Sequence, residues 1–147
     1  MKRLKWLAAV VLLSFARIVA ADSIESLKEL AAQGDAAAQL GVGAMYAIGQ
    51  DVPQDFAEAV KWYRKAAEQG NSGGQFSLGL MYQNGRGVSK DFVQAHKWLN
   101  LAAAQKSGEL QEKTAALRDE LANRMLPEQV AEAQRLAREW KPTESKK

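Results

Sequence analysis

The 147 residues suffice for a single domain, one quarter of them are charged, and they include one histidine and no cysteine, which removes disulfides, thiolate metal sites and a lipid-modified cysteine from consideration. The formal charge of +3 belongs to the first 21 residues. There Lys2, Arg3, Lys5 and Arg17 meet no acidic group, so the remainder carries 16 Lys+Arg against 17 Asp+Glu, and no electrostatic attraction for nucleic acid is expected.

Residues 1–21 (MKRLKWLAAVVLLSFARIVAA) join a basic start to an apolar run from Trp6 to Ala16 and end in the small residues Val19, Ala20 and Ala21. That is the layout of a secretory signal peptide, with cleavage expected after Ala21 or, as the alternative, after Ala20. Arg17 stops the apolar run short of the ~20 residues that a membrane span needs. Contact with the membrane is therefore expected only in transit, and the bacterial periplasm is the expected destination.

Residues 22–34 place Ile24, Leu27, Leu30 and Ala31 at helical spacing, the pattern of one amphipathic capping helix. From there the chain repeats itself. Shifted by 36 residues, the stretch from Ala37 to Gly70 matches itself at 14 of 34 pairs, among them Gln39 on Gln75, Gly43 on Gly79, Met45-Tyr46 on Met81-Tyr82 and Gly49 on Gly85. The series continues with Val52 on Val88, Asp55-Phe56 on Asp91-Phe92, Ala59 on Ala95, Lys61-Trp62 on Lys97-Trp98, Ala66-Ala67 on Ala102-Ala103 and Gln69 on Gln105. A fixed period of this size marks a solenoid, whose units bury their apolar faces only against their neighbours. The units are residues 35–70 and 71–106.

Each unit divides into two helices. The first is rich in small residues and stops at Gly49 or Gly85, where a left-handed cap is expected. Asp51 stands where the second loop has Gly87, a substitution that Asp tolerates at positive φ. The second helix opens on Asp55 with Glu58, or Asp91 with Gln94, at capping-box spacing. Its apolar stripe is Ala59, Trp62, Tyr63 and Ala66, matched by Ala95, Trp98, Leu99 and Ala102. Gly43 and Gly79 predict close helix approach, with Tyr46 and Trp62, and Tyr82 and Trp98, as the large partners; these aromatics read as core. Residues 107–141 follow the period loosely as a degenerate C-terminal helix pair. Leu110, Leu117, Leu121 and Met125 mark the first helix, Pro127 starts the second, and Trp140 is an anchor. Residues 142–147 read as a disordered tail.

The order of Gly43, Tyr46, Gly49, Val52, Asp55, Ala59, Trp62 and Ala66-Ala67, repeated 36 residues on, resembles Sel-one-like repeats, longer-looped relatives of tetratricopeptide repeats. The resemblance implies an all-α fold, an α/α superhelix of antiparallel helix pairs with two clear repeats and terminal capping helices. It also implies an adaptor that binds other proteins, here another protein of the cell envelope. The concave side would be lined by first helices, at Leu40, Ala44, Ala47 and Ile48 in one unit and Phe76, Leu80, Gln83 and Asn84 in the next. These form either an open groove or a surface covered by neighbouring helices, the C-terminal segment or a second copy.

Catalytic chemistry finds no footing. His96 replaces Val60 of the preceding unit and is expected at the surface or its boundary; alone, it nominates no zinc site. The two loops, GQDVPQD and GRGVSKD, lack the spacing and lysine of a phosphate-binding loop, and no serine sits in a nucleophile motif. No catalytic, cofactor or metal residue is therefore predicted. The alternative functions are a cell-wall-related enzyme or binder taking a β-lactam or muropeptide, and a regulatory inhibitor of a cell-wall hydrolase.

Overall fold

The computed structural model describes residues 23–105 and 109–143. The signal-peptide reading of residues 1–21 and its cleavage points lie outside the described residues. Seven helices follow one another, with no strand among the described residues: α1 over 23–32, α2 Ala36–Ile48, α3 Phe56–Glu68, α4 Ser72–Asn84, α5 Phe92–Ala104, α6 Glu109–Ala122 and α7 Pro127–Glu139. The architecture is the expected solenoid. Helices α2 and α3, then α4 and α5, pack as hairpins; α3 packs on α4 and α5 on α6, and α2 touches α4 across the junction.

Four helices begin on a polar cap. Asp35 accepts the N–H of Ala38 at 2.7 Å, Asp55 that of Glu58 at 3.0 Å, Asn71 that of Gly74 at 2.8 Å and Asp91 that of Gln94 at 3.0 Å. Each removes one of the donors a helix start leaves unpaired. The second half of the first capping box is replaced by another contact, since the Glu58 carboxylate receives the Lys61 ammonium. At the other end, Gly49 and Gly85 adopt the left-handed conformation at φ 77° and 63°, and their N–H groups return to the carbonyls of Met45 and Met81. Asp51 sits at φ 61° where its counterpart Gly87 sits at 68°. A Cβ on Gly87 would stand 2.2 Å from the Phe56 carbonyl oxygen, so the second loop rests directly on the first turn of α3.

The glycines of the first helices do permit close approach, but not to the expected partners. A Cβ on Gly43 would lie 2.6 Å from the Tyr63 ring, and one on Gly79 3.0 Å from Leu99 Cγ and 3.3 Å from the Ala95 carbonyl. The residue after each tryptophan faces the glycine because one step along a helix turns the side chain by about 100°. Trp62 is instead half-buried against the small cluster of Ala31, Ala38 and Val42 with Leu27 and Tyr46, while Trp98 is fully buried and meets Trp140 nearly edge-on, 6.2 Å between centroids at 72°.

The C-terminal helices depart from the repeat. Each packs on α5, and they do not close on each other as the repeat hairpins do. The buried positions of α6 are Thr114 and Leu121, whereas Leu110, expected in its apolar stripe, is 55% exposed. Pro127 opens α7 as predicted, and the Gln129 side chain accepts the Leu126 N–H at 2.9 Å. Beyond Trp140 the chain is tied back: Thr143 donates its N–H and hydroxyl to the Glu68 carbonyl at 2.7 and 3.1 Å. Pro142 and Thr143 thus hold a defined place where polarity suggested a free end; residues 144–147 lie outside the described residues.

Gly43→Ala drives a methyl into the Tyr63 ring and is expected to lower stability by about 1–3 kcal/mol. Gly41→Ala meets only the movable end of Leu27, at 3.3 Å, and is expected to be neutral or stabilising by up to about 1 kcal/mol. Urea unfolding of the two variants checks the contrast.

Candidate functional site

The first helices, α2 and α4, contain no charged residue in their 26 positions, although a quarter of the chain is charged. The helical charges sit on α1, α3, α6 and α7, where Lys28, Lys61, Lys113, Arg118 and Arg135 pair with neighbouring carboxylates, and α5 adds Lys97. One side of the solenoid is therefore an uncharged surface of apolar groups and amides.

The predicted groove residues occupy this side with different degrees of exposure. Leu40 is half-buried, its Cδ2 standing 2.6 Å from where a Cβ on Gly73 would be, so it packs onto the first turn of α4. Ala44 and Leu80 are half-buried, Ala47 and Phe76 lean on the main core, and Ile48 is 71% exposed. Asn84 is exposed and folds its amide back onto the Leu80 carbonyl at 3.0 Å. Gln83 is half-buried, and its side-chain oxygen is enclosed without a hydrogen-bond partner.

Phe76 lines a cavity. It lies at the junction of α4, α5 and α6, about 120 Å³ in volume, walled by Ser72, Phe76, Ala102, Gln105, Leu110, Gln111 and Thr114. Three of those walls come from α6 and were absent from the sequence prediction. The available signal was the period: Gln111 and Thr114 stand 36 residues after Gln75 and Leu78. The wall is uncharged, and its polar groups are largely engaged. The Thr114 hydroxyl donates to Leu110 O at 2.7 Å, and the Gln105 amide donates to Gly70 O at 2.6 Å and to Gln75 Oε1 at 2.9 Å. Such a cavity can take an apolar side chain at its Phe76–Leu110 mouth; its lining pairs no nucleophile with a base.

The glutamines belong to a repeated junction whose role the sequence did not disclose. Gln39, almost fully buried, donates to Ala31 O at 3.1 Å and accepts from Gln69 Nε2 at 2.8 Å, while the Gln69 amide also donates to Gly34 O at 2.9 Å. One repeat on, Gln75 donates to Ala67 O at 3.3 Å and Gln105 bridges Gln75 and Gly70 in the same way. A second cross-repeat contact recurs with its polarity reversed: Arg64 donates to the Tyr82 hydroxyl at 2.8 Å, and Arg118 donates to Asn100 Oδ1 at 3.1 Å.

His96 is not at the surface. It is 3% exposed, as Val60 is at 5%, because that face of the second helix is turned inward and α5 is covered by α6. Its Nδ1 has no partner. Burial, and then the positive charge of Arg118, hold its pKa below the ordinary 6.5, against a smaller opposing pull from Asp119. Among the described residues no group of three His, Cys, Asp or Glu is placed to hold a metal ion.

A family model for the Sel1 repeat matches residues 34–71 and 72–107. The chain belongs to the Sel1 repeat family. Solved structures agree. A protective antigen of uropathogenic Escherichia coli strains with the same repeat fold, c5321, is similar over 80% of this chain and 24% of its own, at 32% identity and a TM-score of 0.73. A Sel1 repeat protein from Oxalobacter formigenes is similar over 62% of this chain and 26% of its own, at 37% identity and a TM-score of 0.57. The chain thus spans about a quarter of each of these neighbours. No curated protein matches it. Sel1 repeats generally mediate protein–protein interaction, and proteins of the family are typically non-enzymatic scaffolds.

Because folded His96 holds its proton less tightly than the unfolded chain does near 6.5, the unfolded state binds more protons in acid. The stability present above that value is lost as pH falls through it, by at most about 1.4 kcal/mol per pH unit. Urea midpoints at about pH 7.5 and about pH 5.5 should show this loss, and His96→Val, which installs the residue of the preceding repeat, should reduce it.

Proposed function

We propose that this Sel1 repeat protein is an exported, periplasmic adaptor that binds a segment of another envelope protein on the α2 and α4 side, with no catalysis of its own. The uncharged surface carries the reading. The first helices of two successive repeats, without a charge between them, suit an apolar or amide-rich peptide rather than an ionic ligand. The exposed Ile48 and the Phe76–Leu110 mouth offer places for its side chains. Export rests on the basic, apolar and small-residue order of residues 1–21.

A photocrosslinker placed at 76 or 80 in cells should capture a defined envelope protein. Phe76→Glu and Leu80→Glu should abolish capture while the helical circular dichroism stays unchanged. Undiminished capture by both folded variants would contradict the groove. Hydrolysis of a β-lactam or a muropeptide by the purified protein would replace the adaptor reading with an enzymatic one.

A further inference from the structure

After α7 the chain becomes extended and crosses back over the turn between α3 and α4. Trp140 meets Trp98, and Trp140 and Pro142 lie 3.7 and 3.9 Å from where a Cβ on Gly70 would stand, at φ 90°. Thr143 donates its N–H to Glu68 O, a carbonyl in the last turn of α3, at 2.7 Å. The ammonium of Lys97 lies 4.3 Å from the Trp98 ring centroid. A short Trp-x-Pro-Thr segment is thus held by an aromatic ring, a glycine without a side chain to obstruct it, and a last-turn carbonyl that needs a donor.

Each part of that cradle has a counterpart 36 residues earlier. Trp62 stands for Trp98, Gly34 at φ 103° for Gly70, and Ala32 for Glu68. A lysine covers this ring too, though from another position: Lys65 Nζ lies 4.3 Å from the Trp62 centroid, while Lys61, the counterpart of Lys97, pairs with Glu58. Even the support beneath is reproduced, because Gln69 donates to Gly34 O as Gln105 donates to Gly70 O. What differs is the occupant. Among the described residues nothing comes within 4 Å of where a Cβ on Gly34 would stand, and Trp62 is only half-buried.

We propose that this counterpart, without an occupant among the described residues and built from Ala32, Gly34 and Trp62, docks an extended segment of a partner protein with the strap's chemistry: an aromatic residue, one spacer, a proline, and a backbone N–H for the Ala32 carbonyl. The strap is the argument for that chemistry, since the same cradle already holds such a segment one repeat away. A second copy's strap is disfavoured as the occupant because each strap is engaged within its own chain, and releasing it would uncover Trp98. The site uses the α1–α2 turn and α3, and so stands or falls separately from the α2 and α4 surface.

The test uses a synthetic peptide of the chain's own residues 138–145, carrying a photoreactive group at the tryptophan position, added to the purified protein. The tethered strap competes for its own site at an effective concentration of about millimolar, which directs the added peptide to the open counterpart. The expected result is saturable binding with crosslinks at residues 31–34 and 62, weakened about tenfold when the ring is lost in Trp62→Leu, and unaffected by Phe76→Glu. Circular dichroism verifies that Trp62→Leu is folded, and replacing the peptide's tryptophan by alanine gives the same loss without altering the protein. Absence of saturable binding, crosslinks confined to residues 68–70 and 98 or to α2 and α4, or full affinity without the peptide's aromatic ring would overturn the proposal.

Discussion

Burying the end of a helix against its neighbour leaves carbonyls that must find donors or destabilise the fold. In this solenoid the problem arises wherever a second helix, or the capping helix α1, gives way to the next unit, at the fully buried Ala31 and Ala67. The answer joins a turn N–H to an amide carried by the following helix. The carbonyls of Ala31 and Ala67 accept the turn N–H groups of Gly34 and Gly70, and Gln39 and Gln75 add a second donor to each. The glutamines' own side-chain oxygens are satisfied by Gln69 and Gln105, which spend their remaining N–H on Gly34 and Gly70. A buried amide is tolerable only when its acceptor as well as its donor is used, so the buried Gln39 and Gln75 require Gln69 and Gln105. The pairs lock successive units at one register, while Gly43 on Tyr63 and Gly79 on Leu99 close the hairpin within each unit.

Much of this was legible in the sequence because the period leaves few choices. The polar caps, the left-handed glycines and the exchange of Asp51 for Gly87 each have one backbone solution. What escaped reading has physical reasons. Trp62 and Tyr63 are both large and apolar, and adjacency does not say which faces α2. His96 is polar by type yet inherits the inward direction of Val60. Leu110 is exposed and Thr114 buried because α6 presents a different stripe to α5 than an apolar count suggests. The glutamines were visible as identities without a function, since a long amide is equally at home in solvent. For the candidate surface, the period placed its α2 and α4 residues, while the α6 wall of the cavity lay in the unit whose phase had drifted.

The ends of a solenoid must be finished differently from its middle. At the C-terminus α6 and α7 both lie on α5, and the strap from Trp140 to Thr143 seals the α3–α4 turn. At the N-terminal end the equivalent turn carries no described occupant. The molecule is thus asymmetric in what it leaves available: an uncharged side along α2 and α4, an aromatic cradle at the first turn, and a covered far end. An adaptor needs surfaces of this kind more than it needs a pocket.

The account depends on the glutamine pairs acting as units, and a double-mutant cycle on Gln75→Leu and Gln105→Leu, read by urea unfolding, tests it most directly. The pairing predicts that the two losses are not additive, with a coupling of at least about 1 kcal/mol, because removing Gln105 strands the buried Gln75 oxygen, which is no longer there to strand once Gln75 is replaced. Losses that add to within about 0.5 kcal/mol would show two independent side chains, and would contradict the claim that they hold the repeats in register.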